Sequence, residues 1–232
     1  MTTYALIHGG GYSSSCWARV TPHLDGDVIL VDLPGRGRRP ADLSMVTLAD
    51  NVAATIEDIG DADDVVLVAH SVAGITAAHV LGEAPGLVQE VVLVSCTIPP
   101  HGSAVIDHID PGVRDSVMAG SGNGVFRIDD ETSRQILCND LDEASCQWIL
   151  DIRCDETTSV LGTPVDLHGF ADVPVTYVRL LLDQTLPLEQ QDRAIAAVGA
   201  VRPPDVVELE AGHMAMVSRP EELAAIINAH RG

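Results

Sequence analysis

The sequence predicts an α/β fold: a mostly parallel sheet of about six strands flanked by helices, with one helical insertion after the fourth strand. Three observations lead there. Short runs rich in Val, Leu and Ile alternate with longer helical stretches. The runs show little polar alternation, as strands covered on both faces do. The chain has 232 residues, enough for one such domain with a substantial core.

The expected strands are Tyr4–Ile7, Val28–Val31, Val65–Val68, Val91–Ser95, Val175–Leu181 and Val206–Leu209. The expected helices are Thr47–Ile59, Ser71–Leu81, Glu189–Val198 and Pro220–Ala229. Thr47 and Ser218 stand where N-caps belong, and Pro220 suits a first helical turn. Strand–helix alternation calls for helices on both sides of a parallel sheet.

The rhythm breaks between residues 99 and 170. That stretch holds a Gly/Ser-rich punctuation at 119–124 and helical pieces at Ser133–Leu137 and Glu143–Ile152, but no sheet strand. Residues 1–98 and 171–232 are therefore expected to form the core of a single domain, and 99–170 an insertion. An insertion after a strand sits at the strand's carboxyl end, where open α/β sheets bind ligands. It is expected to cap the site.

Composition narrows the function. Hydrophobic residues make up 46% and aromatics only 3%, so a pocket must be lined mainly by aliphatic side chains. Thirteen Lys and Arg against 34 Asp and Glu give a net charge of −21. Such a surface repels phosphate backbones and anionic lipid, which argues against nucleic acid and membrane as partners. A small molecule is the expected partner, and a homodimer is the one protein assembly left open. The acidity itself reads as solubility. The opening residues lack a basic segment and a long apolar run, so no signal peptide is expected. Five scattered cysteines read as reduced thiols of a cytoplasmic protein, and their spacing supports no metal site. The one basic cluster, residues 34–40, reads as a solvated loop.

Four motifs carry chemistry. Val65–His70 leads through Ser71 into a helix, the strand–turn–helix form of a nucleophile elbow. Small residues are needed beside the Ser, and Ala69 and Ala73 stand where Gly is usual. The Gly-rich turn Gly9–Gly11 follows the first strand, which nominates the Gly10 and Val72 N–H groups as oxyanion donors. His213 follows the last strand, where an imidazole can act as base at neutral pH. Asp183 lies just past the fifth strand and fits the chain order Ser, acid, His. Gly9, Trp17, Trp148 and Met214 are expected to touch the substrate. No cofactor is implied.

With these motifs the chain resembles the small α/β-hydrolase-fold family of plant methyl esterases and hydroxynitrile lyases. The resemblance rests on Leu6–Gly11 with Trp17, Val31–Gly35, Val68–Gly74, Asp183–Pro187 and Gly212–Pro220. It implies a six-stranded sheet with a cap over an apolar pocket. Hydroxynitrile lyases of this kind carry a Thr where Gly9 stands and a Lys where Met214 stands, so the resemblance implies ester hydrolysis. Ser71 also argues against relatives whose elbow nucleophile is Asp. The expected function is a serine esterase acting on a small, largely apolar ester or activated carbonyl. A lyase or cyclase on the same three residues remains an alternative, as do a hydroxynitrile lyase and a non-catalytic ligand-binding protein.

Overall fold

Six strands form one parallel sheet: β1 (Thr3–Ile7), β2 (Asp27–Val31), β3 (Val65–His70), β4 (Glu90–Val94), β7 (Val175–Leu180) and β8 (Asp205–Leu209). Their order is β2-β1-β3-β4-β7-β8. Each expected strand is present within two residues. The stretch 99–170, expected to hold no sheet strand, contains β5 (Val125–Phe126) and β6 (Glu156–Thr157), a short antiparallel pair separate from the main sheet. The computed structural model describes residues 1–109 and 121–230. Residues 110–120 of the expected insertion, the start of the expected punctuation at 119–124 and the last two residues of the expected core lie outside the described residues.

Alternation along each central strand sorts side chains to two faces. Ile7, Leu67 and Leu93 join one core cluster with Leu48, Val52 and Ile75. Leu6, Val68 and Val92 join the other with Trp17, Met214 and Leu223. All of β1 and β3 is buried, as expected of strands covered on both faces. The edge strands differ. β2 is buried only at Val31 and β8 only at Leu209, because one flank of each has no neighbour.

The helices are α1 (Leu48–Ile59), α2 (Ala73–Glu83), α3 (Asp130–Leu137), α4 (Glu143–Asp151), α5 (Leu188–Gly199), α6 (Ala215–Ser218) and α7 (Pro220–Asn228). Thr47 caps α1 in a reciprocal box with Asp50, satisfying two otherwise orphaned donors. Asp129 and Asp142 cap α3 and α4 by accepting from Thr132 and Ser145 N–H. Ser218 is not the cap expected of it. It ends α6, a turn the sequence reading missed, and Arg219 occupies the N-cap of α7 without a side-chain bond.

The cysteine expectation also fails in part. Cys138, at the end of α3, forms a disulfide with Cys146 in α4, their Cα atoms 5.3 Å apart. The tight connection between the two helices brings residues eight apart in sequence into bonding range. Cys16, Cys96 and Cys154 are free. A structural disulfide is a feature of oxidising compartments, so cysteine usage no longer points to the cytoplasm. Among the described residues, no helix is long and apolar enough to cross a membrane.

Candidate active site

The sheet reverses its winding at β1. Strand β2 lies on one side of it and β3 on the other, with Ile7 opposite Ala69. The loops that follow β1 and β3 therefore leave the sheet side by side, in the crevice where open α/β sheets bind ligands.

Ser71 sits in the second loop with φ +57°, a left-handed conformation that L-residues avoid. Such a backbone costs on the order of 1–3 kcal/mol and persists only where neighbours fix it. Three hydrogen bonds do so. Ser71 N–H donates to Val94 O (3.1 Å), and its carbonyl accepts from Gly74 N–H (3.2 Å) and Thr97 N–H (3.1 Å). The tightest approach falls at Gly74, where a Cβ would stand 2.7 Å from Cys96 Cβ and from Ile98 Cδ1. Ala69 and Ala73 are buried without conflict, so Gly is not required at either position.

Ser71, His213 and Asp183 converge. His213 Nε2 lies 3.1 Å from Ser71 Oγ, and His213 Nδ1 lies 2.6 Å from Asp183 Oδ2. An ionised carboxylate only accepts, so Nδ1 bears the proton and Nε2 accepts from the Ser71 hydroxyl. Asp183 is fully engaged. Its Oδ1 accepts from Thr185 and Leu186 N–H (2.8 Å each), and its Oδ2 also accepts from Ser95 Oγ (2.7 Å). Burial alone would raise this carboxyl's pKa. Its pairing with His213 and these donors outweigh burial and hold the group below its ordinary value.

Two further imidazoles support the loops and stay neutral. Burial pushes His70 down to about 3, and His70 Nε2–H donates to the His213 carbonyl (2.9 Å). Burial pushes His8 down to about 4. Its Nδ1–H donates to Gly9 O and its Nε2 accepts from Leu33 N–H.

The Gly-rich loop packs directly on this group. A Cβ at Gly9 would stand 2.7 Å from His70 Nδ1 and 3.0 Å from Ser71 Cβ. The Thr of a hydroxynitrile lyase therefore has no room there. A Cβ at Gly10 would stand 3.3 Å from Val72 Cγ1, so the two nominated oxyanion residues are neighbours. Gly11 is held at both ends by the segment between β4 and β7. Its N–H donates to Glu156 Oε2 (2.9 Å), and its carbonyl accepts from Cys154 N–H (2.8 Å). Glu156 forms an ion pair with Arg36 in which both side chains are buried. Burial pushes the Arg36 guanidinium down to about 10. The basic loop expected to be solvated thus sends one of its arginines inward.

Gly9, Gly10, Ser71, Val72 and His213 line a cavity of about 160 Å³. Its far wall includes Phe126, Ile128, Leu137 and Leu161. Three expected ligand contacts are absent from it. Trp17 and Met214 are fully buried in the core cluster below the sheet. Trp148 packs on the same cluster, with the Arg19 guanidinium 5.1 Å from its ring centre. For Trp17 and Met214, nearness to a site motif in sequence did not fix the side-chain direction, and for Trp148 neither did a place in the expected cap. The sequence reading in turn missed Ser95, Arg36 and Glu156. Ser95 had a signal, as the polar end of an apolar run; the other two had none. Among the described residues one group has metal-ligand spacing: His101, Asp166 and His168, all exposed. None of them lines the cavity.

The chain matches the model described as "Alpha/beta hydrolase family" over residues 5–226. It is 29% identical to "Probable hydrolase R7" of a Phoma species, covering 96% of this chain and 95% of that one. It is 26% identical to "Methylesterase 9" of Arabidopsis thaliana, with the same coverage. Among solved structures it superposes on an extracellular alpha/beta-hydrolase from a Paenibacillus species with a TM-score of 0.90 at 20% identity, covering 100% of this chain and 99% of that one.

Proposed function

The chain belongs to the alpha/beta hydrolase family and is a carboxylesterase-like enzyme, and from that premise we propose that it cleaves small, largely apolar esters through Ser71, His213 and Asp183. The observation that carries the proposal is the unbroken relay opening on the cavity: Ser71 Oγ to His213 Nε2 at 3.1 Å, and His213 Nδ1 to Asp183 Oδ2 at 2.6 Å.

Ser71 Oγ attacks the ester carbonyl as His213 Nε2 takes its proton. Asp183 fixes the tautomer and offsets the imidazolium charge that develops. Gly10 and Val72 N–H groups receive the oxyanion, each contributing about 2.7–4 kcal/mol to the transition state. His213 then protonates the departing alcohol. Water, deprotonated by the same nitrogen, releases the acid from Ser71. The segment between β4 and β7 caps the site. No metal or organic cofactor enters these steps.

Cavity size and lining narrow the substrate. About 160 Å³ is close to the roughly 150 Å³ of an apolar cavity known to take one benzene ring. With a small alcohol portion, as the methylesterase relative's name suggests, the best fit is a methyl ester of a one-ring or short-chain acid.

A fluorophosphonate probe tests the chemistry. Wild type should label at Ser71 and hydrolyse p-nitrophenyl acetate, and Ser71→Ala should do neither. Turnover that survives Ser71→Ala would remove the acyl-enzyme and leave His213 as a base for a non-hydrolytic reaction. A wild-type chain that neither labels nor turns over an ester panel would be a binding protein.

A further inference from the structure

The turn joining α3 to α4 holds the backbone just ahead of the acid and just ahead of the base, and the end of α3 meets a side chain just past the acid. Asp140 Oδ2 accepts from the N–H of Gly212, the residue before His213 (2.7 Å). Asn139 Nδ2 donates to the carbonyl of Leu182, the residue before Asp183 (2.8 Å). Thr185 Oγ1, two residues after Asp183, donates to Ile136 O (2.9 Å). The fit is close: a Cβ at Gly212 would stand 2.5 Å from Asp140 Oδ1 and 2.9 Å from Asn139 Oδ1.

The turn is itself braced. Cys138 closes α3 and is bonded to Cys146 in α4. Leu141 N–H donates to Cys138 O, and Asp142 caps α4. Asp140 Oδ1 is buried with no hydrogen-bond partner among the described residues. An unpartnered buried carboxylate oxygen is unfavourable and calls for an explanation.

We propose that this disulfide-braced turn is a clamp on the acid–base pair, and that Asp140 is the positioning residue for His213. The proposal rests on the reading of His213 and Asp183 as base and orienting acid. His213 must satisfy two partners at once, at 3.1 and 2.6 Å, and its backbone hangs from Gly212. Asp140 and Asn139 hold the two loops at a common reference, so the imidazole and the carboxylate keep their separation. The brace is open to chemical control. A dithiol can reduce the Cys138–Cys146 bond, leaving two thiols while it becomes a cyclic disulfide.

The test uses the intact chain with p-nitrophenyl acetate, together with the far-downfield proton resonance of the His213 Nδ1–H bond to Asp183. Asp140→Ala should lower kcat by about tenfold to a hundredfold, as small misplacements of reacting groups do, with KM nearly unchanged. Its resonance should shift or broaden. Asp140→Asn keeps an oxygen acceptor for Gly212 N–H and should recover most of both. Dithiothreitol should lower kcat of wild type and leave a Cys138→Ser, Cys146→Ser double variant unaffected. Asn139 is exposed, so Asn139→Ala probes the clamp without a folding hazard and should lower kcat by a smaller factor. Wild-type kcat and an unmoved resonance in Asp140→Ala and Asn139→Ala overturn the clamp, as does an Asp140→Asn chain as impaired as Asp140→Ala. Unchanged kcat on reduction overturns the disulfide's part. If wild type shows the resonance but turns over no ester, the esterase reading fails and the resonance alone still tests the clamp.

Discussion

The six-stranded sheet and the segment between β4 and β7 meet at one cavity but are held in different ways. Ile7, Leu67, Val92 and Leu93 are fully buried and gain their stability from removal of apolar surface from water. The segment buries Ile149, Leu167 and Phe170 in the same two clusters, but directed polar contacts seat it against the site: Glu156 to Arg36 and to Gly11 N–H, Asp140 to Gly212 N–H, Asn139 to Leu182 O. Burial is non-directional, so it decides where the loops emerge but not their fine geometry. Hydrogen bonds are directional and set that geometry. Substitutions in the sheet should therefore cost stability, and substitutions among the polar contacts should cost turnover as well.

The largest expected effect lies where the two regions meet. Asp183→Asn keeps the shape but favours the wrong His213 tautomer, and should lower kcat about ten-thousandfold with little change in Tm. A loss below tenfold would show that Asp183 does not orient the base. Steady-state kinetics and a thermal melt suffice.

Glu156→Gln sharpens the contrast from the segment side. It leaves the buried Arg36 charge without its partner, which should destabilise the fold by about 3–5 kcal/mol. It also weakens the hold on Gly11, so kcat should fall in the molecules that remain folded. Urea unfolding beside active-site titration separates the two. Full kcat per labelled Ser71 would mean that the grip on Gly11 is idle.

Leu67→Ala is the matching change in the sheet. It should cost about 2–5 kcal/mol and leave kcat per folded molecule unchanged. A kinetic defect as large as that of Glu156→Gln would break the division between the regions.

The smallest effect is in pH. His8 and His70 sit at about 4 and about 3 in the fold, against an ordinary 6.5. The unfolded chain binds these protons first, so stability is unaffected above 6.5 and falls below it, over windows reaching about 4 and about 3. Asp183 acts in the same direction at lower pH, because its lowered folded value means its contribution is lost as pH falls through that value. From pH 7 to pH 6 the two histidines together should remove roughly 1 kcal/mol. The urea midpoint measures this, and His70→Gln should flatten the dependence. A midpoint constant over that range would mean that the imidazoles are not held neutral by burial.

Legibility followed the same division. Ser71, Asp183 and His213 could be nominated because each follows an apolar run read as a strand, in the chain order expected of the fold, and the three meet in space. Ser95 marked the end of such a run and could have been nominated. Asp140 and Glu156 could not, because they belong to the segment, where apolar periodicity is weak and nothing in the neighbouring residues says which distant backbone an acidic side chain will meet. Trp17 and Met214 were assigned to the pocket because each stands near a site motif in sequence, and Trp148 because it lies in the expected cap. The turn at Ser14–Trp17, helix α4 and the entry to α6 sent them to the core instead.

By itself the sequence determined the six strands of the parallel sheet, the helices between them and the loops from which Ser71, Asp183 and His213 project. Local hydrophobic period and capping chemistry are written into consecutive residues. Only the tertiary structure decided that Ser71 adopts φ +57°, that Arg36 turns inward to Glu156, and that Asp140 reaches Gly212 across 72 positions of chain. Such contacts form when packing closes long loops, and their geometry depends on the whole fold.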